Sequence, residues 1–160
     1  MAELGTCELR LAKPADAALL ARMSRDYIEQ GTGWRWRTAP LKRKIAAPET
    51  VVLVAEVELA GVRFTGGFAV MDFELNKALL SLLAVHPNLR RQGVGSKLLR
   101  WLHKSARYAQ CQHIELQVRA DNHKARRFYQ QLGYQEEALI PNYYNGKDAA
   151  YQLKLRLLDR

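Results

Sequence analysis

The fold is decided by the stretch Leu79-Leu80-Ser81-Leu82-Leu83-Ala84-Val85-His86-Pro87-Asn88-Leu89-Arg90-Arg91-Gln92-Gly93-Val94-Gly95-Ser96-Lys97-Leu98-Leu99-Arg100-Trp101-Leu102. It begins as a near-continuous apolar run, which is typical of a β-strand buried on both faces. A proline ends the run, two glycines form a turn, and a helical pattern follows. The predicted apolar face of this helix comprises Val94, Leu98, Trp101 and Leu102. Backbone N–H groups at a helix N-terminus, with two arginines beside them, indicate a site for a phosphate.

The spacing of the glycines distinguishes between the known phosphate loops. A dinucleotide fingerprint needs a third glycine where Leu98 stands, and a P-loop needs a lysine directly after Gly95. The pattern Arg-x-x-Gly-x-Gly, from Arg90 through Gly93 to Gly95, resembles the pyrophosphate-binding turn of the GNAT acyltransferase superfamily. Taken alone, the two glycines are also compatible with a simple turn between a strand and a helix.

Length and composition are those of one globular domain, so residues 1–160 are expected to form a single unit. The hydrophobic content of 48% is ordinary, and no apolar run reaches the roughly 18 residues of a membrane span. The N-terminus lacks the pattern of a signal peptide, and Cys7 and Cys111 show no metal spacing. We therefore expect a cytoplasmic protein with free thiols and no metal.

The net charge of +9 has three interpretations: a nucleic-acid partner, the phosphates of coenzyme A, or a solvated basic surface. Basic clusters occur at residues 35–37, 42–44, 90–91 and 124–127. The cluster Arg90-Arg91 fits coenzyme A, and the cluster 42–44 fits a solvated helix face. Aromatic residues interleave with these clusters only at residues 34–37, so nucleic acid is not the expected partner.

The remaining elements follow from periodicity and turn signals. Predicted strands are 8–12, 51–59, 62–73, 113–119, 136–140 and 151–157, and predicted helices start near Pro14, Thr38, Val94 and Ala125. The helix after Pro14 carries an apolar stripe, Leu19, Leu20, Met23, Tyr27 and Ile28, and ends at Gly31-Thr32-Gly33. Gly66-Gly67 predicts a bulge or a close backbone approach. The middle of the chain is an antiparallel meander.

A second block makes the resemblance specific. The run Val118-Arg119-Ala120-Asp121-Asn122, followed by Ala125, Phe128-Tyr129 and Leu132-Gly133-Tyr134, resembles the second sequence block of GNAT enzymes. Continuing through Asn142-Tyr143-Tyr144 to Lys147-Asp148-Ala149, it is most similar to the RimI type, the ribosomal-protein alanine N-acetyltransferases. The match covers Leu79 to Leu157. It implies an α/β GNAT fold: a mixed, mainly antiparallel sheet, helices on both faces, and central strands that splay near Val85.

The resemblance also implies acetyl-CoA as cofactor and assigns residues to it. The backbone of Leu83 and Val85 would pair with the pantetheine arm, and Asn122 would bond the arm from the far side. The implied contacts are Leu83, Ala84, Val85, Arg90, Arg91, Gln92, Gly93, Val94, Gly95, Ser96, Asn122, Ala125 and Tyr129. For Asn122, a plain helix N-cap is the alternative, and the two roles can coexist.

Tyr129 aligns with the family's general acid, which returns a proton to the departing thiolate. RimI-type enzymes carry a glutamate base at the position of Gln117, and glutamine cannot take a proton. Glu115 lies one pleat away on the same strand face and could act through a water, and the alternative is a surface carboxylate paired with a nearby cation. Glu74 is a weaker candidate for the base. A peptide α-amine, with a pKa near 8, tolerates the loss of a base better than a lysine amine at about 10.4.

For the acceptor site, the sequence offers Tyr143 and Tyr144 in the loop predicted at 141–148, together with Trp36. Tryptophan is also a common packing residue, and the role of Asp148 stays open. The expected partner is an amine, either a protein N-terminus or a small molecule, and the expected state is a monomer or homodimer. A module that binds acetyl-CoA with little catalysis is the alternative that Gln117 suggests.

Overall fold

The computed structural model describes residues 4–28 and 35–157, which form seven β-strands and four α-helices. The strands are β1 (Leu4–Leu11), β2 (Thr50–Leu59), β3 (Val62–Phe73), β4 (Lys77–Val85), β5 (His113–Arg119), β6 (Gln135–Tyr144) and β7 (Asp148–Arg156). The helices are α1 (Ala17–Tyr27), α2 (Thr38–Ala46), α3 (Val94–Tyr108) and α4 (His123–Gln131). The predicted helix end at Gly31-Thr32-Gly33 lies outside the described residues. None of the described helices has the length and apolar content that crossing a bilayer requires.

The strands form one sheet in the order β1-β2-β3-β4-β5-β7-β6. Every neighbouring pair is antiparallel except β4 and β5, which are parallel because α3 connects them. The predicted mixed, mainly antiparallel sheet is therefore confirmed.

Helices cover both faces of this sheet, as predicted. On one face, α3 and α4 enclose a core that includes Met71, Leu98 and Ile114, and on the other, α1 and α2 enclose a core that includes Leu20 and Phe68. Within the α1 stripe, Leu19 and Ile28 are exposed, whereas Leu20 and Met23 are buried.

The prediction that Trp101 belongs to the buried face of α3 is wrong, because its side chain is 39% exposed. Leu99 and Ala106 are buried there instead, together with Leu98 and Leu102. Trp101 lies at the margin of the apolar face, where the surface of α3 begins to face solvent and no longer faces the sheet.

Two bulges lie in the central strands. Gly66 is the extra residue of β3 opposite β2, which confirms the predicted irregularity. A Cβ atom there would come within 2.7 Å of Leu89 Cδ1 and of Val57 Cγ1, so only glycine fits without a shift of its neighbours. Ser81 is the extra residue of β4 opposite β3.

The bulge at Ser81 distributes the apolar residues of β4 over both faces of the sheet. Before it, Ala78 and Leu80 pack in the core under α3; after it, Leu82 and Ala84 pack in the core under α1 and α2. The strand is therefore buried on both faces, as its composition predicts.

Strands β4 and β5 separate earlier than predicted. Their pairing ends at Leu79 and Glu115, whereas the sequence placed the splay near Val85. Because a bulge bends the strand that carries it, Ser81 turns the rest of β4 away from β5.

The loop predicted at residues 141–148 is mostly strand. Strand β6 extends to Tyr144 and β7 begins at Asp148, so only residues 145–147 form the turn. The register shifts between Ile140 and Tyr144, and Asn142 has a φ of +56°. This irregular segment carries the proline and asparagine that predicted a loop.

Candidate active site

The splay of β4 and β5 opens a cavity of about 660 Å³ that reaches both faces of the sheet. Side chains of β5 alternate across it. Leu116 and Val118 lie on the α3–α4 side, whereas Gln117 and Arg119 lie on the α1–α2 side. The cavity therefore has two chemically different halves, one mainly apolar and one polar.

The open edge of β4 borders this cavity. His86 N–H donates to the carbonyl of Gly66 on β3, so by the two-residue alternation of a strand Ala84 also directs its backbone to β3. Leu83 and Val85 then direct their backbone groups to the opposite edge, where β5 no longer pairs. This edge can bond an extended, amide-containing chain. Ala84 is fully buried and does not line the cavity.

The glycine turn lies at the end of the same edge. Gly93 has a φ of +83° and precedes the first residue of α3, whose leading N–H groups have no carbonyl partner within the helix. A Cβ on Gly95 would lie 3.6 Å from Val85 and 3.3 Å from Phe128 of α4, so the turn sits between β4 and α4. Arg90 and Arg91 are exposed beside it, as a site for a diphosphate requires.

Helix α4 forms the far wall of the apolar half. Its N-cap is Asn122, whose Oδ1 accepts the N–H of Ala125 at 3.1 Å, and both residues line the cavity. Asn122 therefore caps α4, as the alternative interpretation predicts. Because Asn122 also lines the cavity, its side chain can reach a bound pantetheine arm as well.

Tyr129 also lines the cavity from α4, and only 9% of its surface is exposed. Burial, with a smaller contribution from Tyr144, raises the pKa of its hydroxyl well above the usual value. The ring of Tyr134 packs edge-on against it at 5.5 Å between centroids. Tyr129 thus stays protonated at any physiological pH and is held in a fixed orientation.

The polar half contains the three residues that the sequence proposed for the acceptor. Trp36 is 8% exposed and packs in the core under α1 and α2, as the packing interpretation predicts. It also lines the cavity, and its contact with a substrate stays a prediction. Tyr143 and Tyr144 line the same half from β6, with their rings 4.9 Å apart.

Arg119 is a cavity residue to which the sequence gave no specific role. Its Nη2 donates to Asp148 at 2.8 Å, and its guanidinium lies 5.3 Å from the ring centre of Tyr144. Burial and the neighbouring Tyr143 raise the pKa of Tyr144 to about 12. Asp148 therefore holds Arg119, and Arg119 in turn supports one aromatic wall.

The structure places Gln117 in the cavity but not Glu115. Glu115 accepts hydrogen bonds from His113 at 2.9 Å and Lys77 at 3.3 Å, at the level where β4 and β5 still pair. Burial opposes ionisation, but these two partners outweigh it and hold the pKa of Glu115 below its usual value. Such a carboxylate is a poor base, and Glu74 is engaged with Lys77 at 3.8 Å.

Sequence reasoning also missed the pair formed by Ser81 and Asp72. Ser81 lines the cavity, and its hydroxyl donates to Asp72 at 2.6 Å. Asp72 further accepts from Lys44 and Thr50, at 2.8 and 2.7 Å. A serine inside an apolar strand was the signal available, since a buried hydroxyl requires a partner.

Among the described residues that line the cavity, none is aspartate, glutamate or histidine. Its ionisable groups are two arginines, Arg35 and Arg119, and three tyrosines. The site therefore offers a proton donor, free backbone N–H groups and aromatic walls, and its lining offers no strong base.

Residues 19–134 match the acetyltransferase (GNAT) family. An uncharacterized N-acetyltransferase of Bacillus subtilis, YhfO, is 31% identical over 140 residues, which are 84% of this chain and 94% of that protein. An uncharacterized N-acetyltransferase of Methanocaldococcus jannaschii is 36% identical over 90 residues, 55% of this chain, and the match spans only 58% of that protein.

Solved structures share the fold. The ribosomal-protein-S18-alanine N-acetyltransferase of Escherichia coli superposes with a TM-score of 0.80 at 22% identity, over 97% of this chain and 96% of that one. The protein yncA of Salmonella typhimurium, solved with its cofactor acetyl-CoA, superposes with a TM-score of 0.77 at 21% identity, over 98% of this chain and 96% of that one. The predicted fold and the predicted relationship are both confirmed. The chain belongs to the acetyltransferase (GNAT) family, whose members transfer the acetyl group of acetyl-CoA to an amine.

Proposed function

We propose that this protein acetylates the α-amine of a protein or peptide N-terminus, with Tyr129 as general acid. The observation that carries the proposal is the two-sided cavity, because donor and acceptor can enter from opposite faces of the sheet and meet between β4 and β5. The apolar half and the glycine turn suit the pantetheine arm and the diphosphate of acetyl-CoA. The aromatic half suits an extended peptide.

In this proposal the acceptor nitrogen attacks the thioester carbonyl directly, without an acyl-enzyme. The negative charge that develops on the carbonyl oxygen is stabilised by backbone N–H groups of the open β4 edge, at Leu83 or Val85. As the C–S bond breaks, the hydroxyl of Tyr129 gives its proton to the departing thiolate. The nitrogen loses its extra proton to water as the amide forms, and Tyr129 is reprotonated from solvent. Burial raises the pKa of a thiol as it raises the pKa of the Tyr129 hydroxyl. The low dielectric therefore shifts the pKa of the proton donor, Tyr129, and of the proton acceptor, the thiolate, in the same direction.

The cavity lining favours an acceptor that arrives uncharged. Since Gln117 replaces the base of the RimI type, the amine must lose its proton before it reacts. A free α-amine has a pKa near 8, and a lysine amine lies about 2.4 units higher, which costs about 3.3 kcal/mol more at neutral pH. The missing carboxylate therefore supports an α-amine over a lysine as the acceptor.

A panel of peptides tests the proposal. Acetyl-CoA consumption is measured with a peptide that has a free N-terminus and no lysine, and with its Nα-blocked counterpart that carries one lysine. At pH 7 we expect kcat/KM to favour the first peptide by about 250-fold, the ratio that a difference of about 2.4 pKa units implies. Equal rates, or a preference for the lysine peptide, would contradict the assignment of the acceptor.

Gln117→Glu is expected to raise kcat/KM at pH 7 by up to about tenfold, because about nine tenths of an α-amine is protonated there and a carboxylate can remove that proton.

In the natural protein, kcat/KM should rise with pH until the amine's own pKa near 8 and then stay level. The raised pKa of Tyr129 keeps the acid protonated, so no decline is expected up to pH 10. Gln117→Asn is the matched control and should leave the profile unchanged; a kcat/KM that is already level between about pH 6 and 8 in the natural protein would point to a base that is already present.

The same glutamine supports a second candidate, a domain that binds acetyl-CoA with little catalysis. Thermal stabilisation by coenzyme A without turnover on any peptide or small amine would favour it. Turnover in the natural protein, lost in a Tyr129 variant, would exclude it.

A further inference from the structure

The exposed face of α3 combines cations and aromatic rings. These residues are spaced along the helix, so they do not form a continuous basic cluster in the sequence. Five exposed residues, Arg100, Trp101, Lys104, Arg107 and Tyr108, lie within about 120° of the helix surface. Trp101 is 39% exposed and Tyr108 is 93% exposed. We call these five residues the basic aromatic face.

The charge of this face is not neutralised within the described residues. Helix α3 contains no aspartate or glutamate. None of the three cations of the basic aromatic face forms an ion pair with a carboxylate in residues 4–28 or 35–157. Three unpaired cations within about 12 Å of helix length create a positive potential that attracts a polyanion.

This face is separate from the proposed acetyl-CoA site. The diphosphate would lie at the N-terminus of α3, beside Gly93, whereas Arg100 begins almost two turns further along the helix and Tyr108 ends it. Lys97, in the first turn, bonds the carbonyl of Cys7 and is not counted in the face.

We propose that the basic aromatic face binds single-stranded nucleic acid, with the cations on phosphates and Trp101 and Tyr108 stacked on bases. Single-strand binders combine a positive track with exposed aromatic rings, because every unpaired base offers a π-face. A membrane surface fits less well, since the apolar side of α3 is already buried in the core and no aliphatic residue accompanies the exposed aromatics. An acidic peptide would satisfy the cations but offers no planar partner for the two rings.

The test measures binding of the full-length protein to a labelled oligouridine of about 12 nucleotides, by fluorescence anisotropy over a series of salt concentrations. Each phosphate contact contributes about −0.7 to the slope of log K against log salt. The triple variant R100Q/K104Q/R107Q is therefore expected to make the slope shallower by about 2. The matched control R22Q/K42Q/R43Q removes the same charge from exposed positions on α1 and α2, across the sheet, and should change the slope by far less.

The aromatic contribution is tested separately. Tyr108→Ala should weaken binding at least about fivefold, and Tyr108→Phe should retain it, because stacking needs the ring and not the hydroxyl. Acetyl transfer should be unchanged in all these variants, since none of the substituted residues lines the cavity. Binding and acetylation can thus fail independently of each other.

Four results would overturn the proposal. They are absence of binding at low salt, equal weakening by the α3 triple variant and its control, equal affinity for an RNA duplex of the same length measured in parallel, and displacement of the oligonucleotide by saturating coenzyme A. Binding of the natural protein, but not of the α3 triple variant, to vesicles of phosphatidylglycerol without any binding to the oligonucleotide would assign the face to a membrane instead.

Discussion

Replacing Tyr129 by phenylalanine is expected to lower kcat for acetyl transfer by about 10²- to 10⁴-fold and to leave KM for acetyl-CoA nearly unchanged. The ring that packs against Tyr134 is kept, so the fold and the cavity wall should persist. Only the hydroxyl is lost, and with it the proton that the departing thiolate needs. The measurement is steady-state acetyl-CoA consumption with a saturating peptide, on both sides of pH 8.

Tyr143→Phe is the matched control, since this tyrosine also lines the cavity but is 39% exposed and lies on the acceptor side. We expect it to affect KM for the peptide more than kcat. Comparable losses of kcat in both variants would mean that Tyr129 acts on the shape of the cavity, and unchanged kcat in Tyr129→Phe would remove its role as an acid.

Leu98→Ala is expected to lower the free energy of unfolding by about 3 kcal/mol and the Tm by about 6–12 °C. Leu98 is fully buried where α3 crosses the sheet, and a Cβ on Gly67 would lie only 3.4 Å from its Cδ1. The helix approaches β3 so closely that the neighbours cannot collapse into the space that the leucine leaves. Chemical denaturation and thermal unfolding, both followed by circular dichroism, measure the change.

Leu75→Ala provides the comparison, because this leucine is 94% exposed and its loss should change the free energy of unfolding by less than about 0.5 kcal/mol. A cost at Leu98 as small as the cost at Leu75 would show that α3 is not anchored through this residue.

The sequence predicted the fold where local patterns and the glycine turn agree. Three predicted features are each determined by residues within a few positions, and each is present: the strand before Pro87, the glycine turn at Gly93 and the cap at Asn122. These local signals locate the half of the cavity that we propose for the cofactor, since that half is built from one continuous strand–turn–helix segment and from α4.

The acceptor half could not be predicted in the same way, because distant segments meet there. Trp36 lies just before α2, Gln117 in β5 and Tyr144 in β6, so three distant parts of the chain supply this half. The periodicity of a single strand does not show which other segments pack against each of its faces. The proline and asparagine at residues 141–142 predicted a loop, but β6 continues through them with a shift of register. Glu115 and Gln117 share a face, yet only the second lies beyond the end of the pairing with β4.

The extra residue Ser81 suggests how such a cleft can arise and be lost by a change in chain length. In a deletion of Ser81 the residues on either side would keep their faces, because Leu80 and Leu82 already pair with adjacent residues of β3. Both cores would then survive, while a straightened β4 could continue its pairing with β5 and close the cavity. A single inserted codon in an ordinary α/β sheet would thus be enough to supply an open strand edge on which a binding site can evolve.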